Sequence, residues 1–171
     1  MRRLASFAII FFLIGFASVA RAQDNSSGGT ATCNFDDEIQ LVVNFQHVSI
    51  NPKKPLSVQV PSGKPWAPGG KPMTLFTNTP IQVGAHNLDV GAYTLFVITG
   101  SKQWTLIVSK STDMSGTYDQ TQDVVRVALD SGELPSPETD LNVAFEHVAP
   151  GQCNLRLDLD KYGHFAALQK R

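Results

Sequence analysis

The chain is poor in the residues that usually mark chemistry. In 171 residues it has two cysteines, four histidines and no Gly-x-Ser-x-Gly elbow. Without cysteine or histidine at ligand spacing a zinc site has no support. Without the elbow, a serine nucleophile of that class has none. Charge of either sign is not in excess, with 14 Lys and Arg against 15 Asp and Glu and a formal net charge of −1. No basic stripe is present to neutralise phosphates, so nucleic acid is not an expected partner. The acids show no spacing that selects two of them for glycosidase work. Asp36-Asp37-Glu38 lacks the glycine and spaced ligands of a calcium loop, and reads as the solvated lead into a strand. From Gln23 onward no segment has a convincing 3.6-residue apolar period, the short Tyr162–Gln169 excepted. No catalytic residue, no metal and no cofactor is nominated by these residues.

What is present begins with an export pattern. Met1-Arg2-Arg3 is positive, Leu4 to Val19 is almost wholly apolar, and Ala20-Arg21-Ala22 carries small residues where a signal peptidase reads. The expectation is a cleavable signal helix over 1–22, cut after Ala22, and a secreted or periplasmic mature chain with no transmembrane segment. The rival is an uncleaved anchor, but the apolar run is short for a span of about 20 residues. The remainder has the length of one domain. Gln23–Thr32, rich in Ser, Gly and Asn, reads as a flexible segment before a single domain over 33–171. Cys33 and Cys153 are solitary, and in an oxidising compartment such a pair usually forms a disulfide. That bond would close a loop of about 120 residues. The alternative is two buried thiols that never meet.

The mature chain is written in strands. Gly91–Gly100 and Gln103–Ser109 are β-branched and aromatic runs flanking a Gly-Ser-Lys turn, the pattern of a hairpin. Leu141–Val148 and Asn154–Asp160 pair around Ala149-Pro-Gly151. In the last of these, Leu155, Leu157 and Leu159 face one way and Arg156, Asp158 and Asp160 the other, which predicts a wet face. Ile39–Val48, Ser57–Val60, Met73–Asn78, Ile81–Gly84 and Val124–Leu129 are further strand candidates. Pro61–Pro72, Ser111–Gln122 and Ser131–Asp140 read as loops. Short strands with Pro and Gly punctuation predict an all-β, single-domain antiparallel β-sandwich, jelly-roll or immunoglobulin-like.

The ordered blocks Gly91-Ala-Tyr-Thr-Leu-Phe96, Gln103-Trp-Thr-Leu-Ile-Val-Ser-Lys110, Tyr118-Asp119 and Asp123-Val-Val-Arg-Val127 resemble domain-of-unknown-function family 2911. The similarity runs from about Val43 to Leu159. It implies a bacterial secreted or cell-envelope protein of unassigned activity, and it transfers no catalytic residues. Many relatives carry an Arg-Thr-Gly-Ala-Asn-like run after the position of Trp66, where this chain reads Ala67–Pro72. The departure implies that any polar site on that loop in relatives is altered or absent here.

The candidate ligand-binding residues are Trp66, Tyr118, Asp119 and Arg126. Asp123 and Arg126 lie three apart in a strand-like stretch, so their side chains are expected on opposite faces. An acceptor such as Asp119 or Glu146 could then satisfy a half-buried Arg126. The plainer reading of this group is structural pairing. Trp104 alternates with Leu106 and Val108 and belongs in the core; Trp66, in a Pro/Gly loop, is the aromatic most free to contact a partner. His47 and His147 follow the parity of Phe45 and Phe145, His86 lies beside a turn, and His164 sits near the terminus. The function these features favour is a non-catalytic binding or accessory module of the cell envelope, its partner an envelope protein, glycan or small ligand. The alternatives are an enzyme acting on an extracellular small molecule or glycan, and a structural domain making edge-strand contacts.

Overall fold

The computed structural model describes residues 28–35, 40–101 and 103–171. The signal segment 1–22, the start of the lead-in at 23–27 and Asp36-Asp37-Glu38 lie outside the described residues. In chain order the strands are β1 (Gly29–Asn34), β2 (Gln40–Phe45), β3 (Met73–Thr77), β4 (Ile81–Val83), β5 (His86–Leu88), β6 (Gly91–Ile98), β7 (Thr105–Ser109), β8 (Asp123–Ala128), β9 (Asp130–Ala149) and β10 (Gln152–Lys170). They form two antiparallel sheets, one in the order β1-β2-β3-β6-β7-β8 and one in the order β5-β4-β10-β9. Among the described residues no helix is long and apolar enough to cross a membrane.

Alternation builds the core. Leu41, Val43, Leu75, Leu95, Val97, Leu106 and Val108 of the first sheet pack with Ile81, Val83, Leu141, Val143, Leu155, Leu157 and Leu159 of the second. Burying each such side chain contributes about 1.5–3 kcal/mol. The chain changes sheets at short crossings. Between β3 and β4, Thr77 Oγ1 donates to the Thr79 carbonyl at 2.6 Å. Between β8 and β9 the single residue Leu129, 1% exposed, donates its N–H to the Trp104 carbonyl at 2.8 Å.

Several expectations are corrected. Gly29–Thr32 is no flexible lead-in but part of β1, in register with Val42–Phe45 of β2. Ser57–Val60 is no strand: residues 56–58 form a 3₁₀ turn just after Pro55. Ser131–Asp140 belongs to β9 rather than a loop. β9 is an edge strand, where Pro135 and Pro137 need not donate to a neighbour. The register jumps from Asn142 through Glu138 to Glu133 opposite Asp158, Asp160 and Tyr162 absorb the extra residues as bulges. Tyr162–Gln169 is strand, with His164, Ala166 and Leu168 turned inward at a period of two. The face expected to be wet is half-covered. Asp158 is 7% exposed, and a Cβ on Gly163 would collide with its Oδ1, so glycine there permits the close approach.

Cys33 on β1 and Cys153 on β10 are bonded, their Cα atoms 6.6 Å apart, so the link joins the two sheets. Replacing both cysteines by serine should lower unfolding free energy by about 2–5 kcal/mol. Urea unfolding of oxidised protein and variant measures this, and coincident curves would show the bond to be energetically idle.

Candidate functional site

At one end of the sandwich the packing stops short and leaves a cavity of about 430 Å³. One wall is the segment 56–62, contributing Leu56, Ser57, Val60 and Ser62. The β6–β7 turn contributes Thr99, Gly100 and Ser101, followed by Trp104. The opposite wall is Ser131 of β9 with Leu159, Asp160, Tyr162 and His164 of β10. The volume falls in the range of small-molecule sites.

Local chemistry holds the first wall. The Gln59 amide accepts from the Asn51 N–H at 2.6 Å and donates to the carbonyls of Lys54 and Asn51 at 2.9 and 3.0 Å. The side chain thus takes the place of a strand partner, which is why this apolar alternating stretch curls instead of pairing. Thr99 Oγ1 donates to the Pro61 carbonyl at 2.5 Å, and the Gly63 N–H donates to the Thr99 carbonyl at 2.9 Å. Both bonds tie the segment to the end of β6.

The far wall is aromatic and carries two special groups. Trp104 and His164 stack with centroids 4.1 Å apart and planes 14° from parallel. His164 faces Ser131 across the β9–β10 ladder, its Nδ1 2.9 Å from the serine Oγ. Burial lowers the His164 pKa from 6.5 to about 4, with the nearby Asp158 charge pulling the other way. The ring is therefore neutral at pH 7. Asp160 stands in the left-handed region at φ 56°, alone in this among the described non-glycine residues.

His164 has a consequence for acid stability. The unfolded chain takes up a proton below pH 6.5, and the folded imidazole refuses it down to about pH 4. Its contribution is therefore fully present above pH 6.5 and is lost as pH falls through 4, at most about 3 kcal/mol. A His164→Phe variant should lose this part of the acid sensitivity. Melting curves of variant and parent between pH 7 and 4 test it; parallel curves would contradict the assignment.

The polar group read from the sequence assembles in part, on the outer face of the six-stranded sheet. The Tyr118 hydroxyl donates to Asp123 Oδ2 at 2.5 Å and Arg126 Nε donates to the same oxygen at 2.7 Å. Arg126 Nη2 also donates to the Tyr118 oxygen. Expecting Asp123 and Arg126 on opposite faces was an error. The β7–β8 register passes from Val108↔Val125 to Ser109↔Asp123, so a bulge at Val124 swings Asp123 onto the face of Arg126. Neither Asp119 nor Glu146 serves Arg126. Asp119 caps the turn Gln120–Gln122 by accepting from the Thr121 N–H and hydroxyl at 2.9 and 2.8 Å, and these bonds lower its pKa. Glu146 lies 3.6 Å from Arg156 instead. The Tyr118 ring meets the Phe96 edge at 5.3 Å and 72°, and burial first, then the Asp123 hydrogen bond, raises its pKa. The arrangement pins the loop 110–122 over Phe96.

Trp66 is not a free platform. Its N–H donates to the Val97 carbonyl at 2.8 Å and its carbonyl accepts from the Val97 N–H at 3.0 Å. The indole is half-buried against the core, opposite inward-facing Val97. Trp66→Ala should therefore lower stability by about 2 kcal/mol. Thermal unfolding measures this, and an unchanged midpoint would return Trp66 to the contact residues.

Trp104 is 2% exposed, as the strand alternation required. His47 is exposed, with Ser49 Oγ 3.0 Å from its Nε2 and Asp140 3.5 Å away. Among the described residues no group of three or more His, Cys, Asp or Glu is placed to hold a metal ion. Asp160, Tyr162, His164 and Ser131 were missed as site residues. The period-two pattern His164, Ala166, Leu168 was available and would have put His164 inside; the cavity itself is formed by segments about 100 residues apart and leaves no local trace.

Fold and cavity together define a disulfide-linked, two-sheet β domain with a ligand-sized recess at one end. The family described as protein of unknown function DUF2911 matches residues 26–164, and the chain belongs to it. No curated protein and no solved structure matches the chain.

Proposed function

We propose that this protein is an exported, non-catalytic binding module of the cell envelope that receives a small ligand between the 56–62 segment and β10. The observation that carries the reading is the cavity of about 430 Å³, apolar and aromatic in its walls with hydroxyls and one carboxylate around it. Export is supported by the positive, apolar and small-residue succession over 1–22. The Cys33–Cys153 bond suits an oxidising compartment.

An enzymatic reading has one observation in its favour, the Ser131–His164 contact. It is the weaker reading because a general base works best with a pKa near the operating pH, and His164 is held at about 4. A direct test uses the chain from Gln23 onward in a thermal-shift screen of glycans and small metabolites. At least one compound class should raise the melting temperature, and a Ser57→Trp variant, which fills the recess, should abolish the shift. An unresponsive protein, or equal shifts in the variant, would remove the cavity as the binding site. Mass-spectrometric turnover of a bound compound would move the protein to the enzymatic reading.

A further inference from the structure

We infer that the cavity selects a small organic cation, an ammonium group attached to an apolar or ring-bearing body. The inference rests on the cavity being a binding site and adds the charge of what enters it. Asp160 is the one Asp, Glu, Lys or Arg among the described lining residues, and His164 is neutral at pH 7. Its side chain makes no hydrogen bond or ion pair with any described residue. Its partner across the ladder is Glu138, so β9 answers the carboxylate with a second one rather than a counter-charge. Glu133, opposite Tyr162, and Asp130, opposite Phe165, continue the acidic edge, and neither has an ion-pair partner among the described residues. An ammonium ion would supply the missing charge.

The backbone supports the same conclusion. At φ 56° a glycine would sit without strain, whereas aspartate is tolerated there at a cost. A carboxylate kept in such a conformation, unpaired, at the edge of an aromatic recess, is placed for a ligand. Tyr162, 43% exposed, offers a π-face beside it, and Trp104 and His164 close the back of the recess. Carboxylate with aromatic faces is the combination that recognises amines. The hydroxyls of Ser57, Ser62, Ser101 and Ser131 can take up a polar remainder of the ligand.

Matched probes that differ only in charge test the inference. Tyramine and its neutral analogue tyrosol, and glucosamine and glucose, are titrated calorimetrically into the chain from Gln23 onward. In at least one pair the amine should bind roughly tenfold tighter than its neutral partner. Asp160→Asn, which keeps a residue tolerant of positive φ, should erase the difference within the pair. Asp160→Gly relieves the backbone and removes the carboxylate; it should fold at least as well as the parent and also lose the preference. Equal affinities within both pairs would overturn the cationic selectivity while leaving a binding cavity in place. A preference that survives in both variants would overturn the role of Asp160. No binding by any of the four probes would overturn the inference, and the broader screen then decides separately whether the cavity binds anything.

Discussion

Everything in this molecule depends on holding two one-sided sheets face to face. Each sheet carries a row of aliphatic side chains that water disfavours, and neither can bury that row alone. The contact of Leu41, Val43, Leu95, Leu106 and Val108 with Leu141, Val143, Leu155, Leu157 and Leu159 solves this for both. The Cys33–Cys153 bond adds a covalent tie between sheets that are otherwise joined by packing and short crossings. β9 and β10 follow from the same demand. Their length lets one ribbon close the core at its middle and form the recess where the ladder bulges.

The outer face of the larger sheet shows a second solution. Thr30, Asn44, Thr74, Thr94, Ser109 and Asp123 lie in a single register row across all six strands. Such a row would be ordinary if it were wet throughout. Thr94 and Ser109 are instead buried beneath the loop 110–122, and each finds a partner there. Thr94 Oγ1 donates to the Ser111 carbonyl at 2.9 Å and Ser109 Oγ accepts from the Ser111 N–H at 3.1 Å. Gly116 fits against the Gly70 carbonyl where a Cβ would come within 2.5 Å, so the two long loops meet over the sheet. The Tyr118–Asp123–Arg126 group belongs to this lid. Its hydrogen bonds run among its own three side chains, with the Tyr118 ring packed on Phe96, which makes it part of the architecture and separates it from the recess.

The recess is a different kind of place. Elsewhere among the described residues two buried side-chain atoms, Asp123 Oδ1 and Arg156 Nε, also lack a hydrogen-bond partner, but neither faces a cavity of this size. At the 160 position an unpaired carboxylate sits on a backbone conformation that most residues avoid, opposite another acid. An unpaired carboxylate on an unusual backbone conformation beside a cavity is a departure of the kind that accompanies candidate sites. The neutral His164 between Trp104 and Ser131 fits that setting, since burial makes a charged ring costly.

The sequence by itself determined the architecture class and most strands, because period-two alternation is a local property of the chain. It also made the Cys33–Cys153 pairing an expectation, since two solitary cysteines leave few choices. It misread the start of β1, the proline-bearing stretch of β9 and the end of β10. In each, weak local propensity was overridden by hydrogen bonds from a neighbouring strand: β2 for β1, β10 for β9, and the sequence-distant β4 for the end of β10. Tertiary structure alone decided that Asp123 reaches Arg126, because a bulge between β7 and β8 inverts the parity that sequence spacing implies. It alone turned Trp66 inward, through its two hydrogen bonds to Val97. And it alone made the recess, because a cavity is a failure of distant surfaces to meet, and no short stretch of residues encodes that.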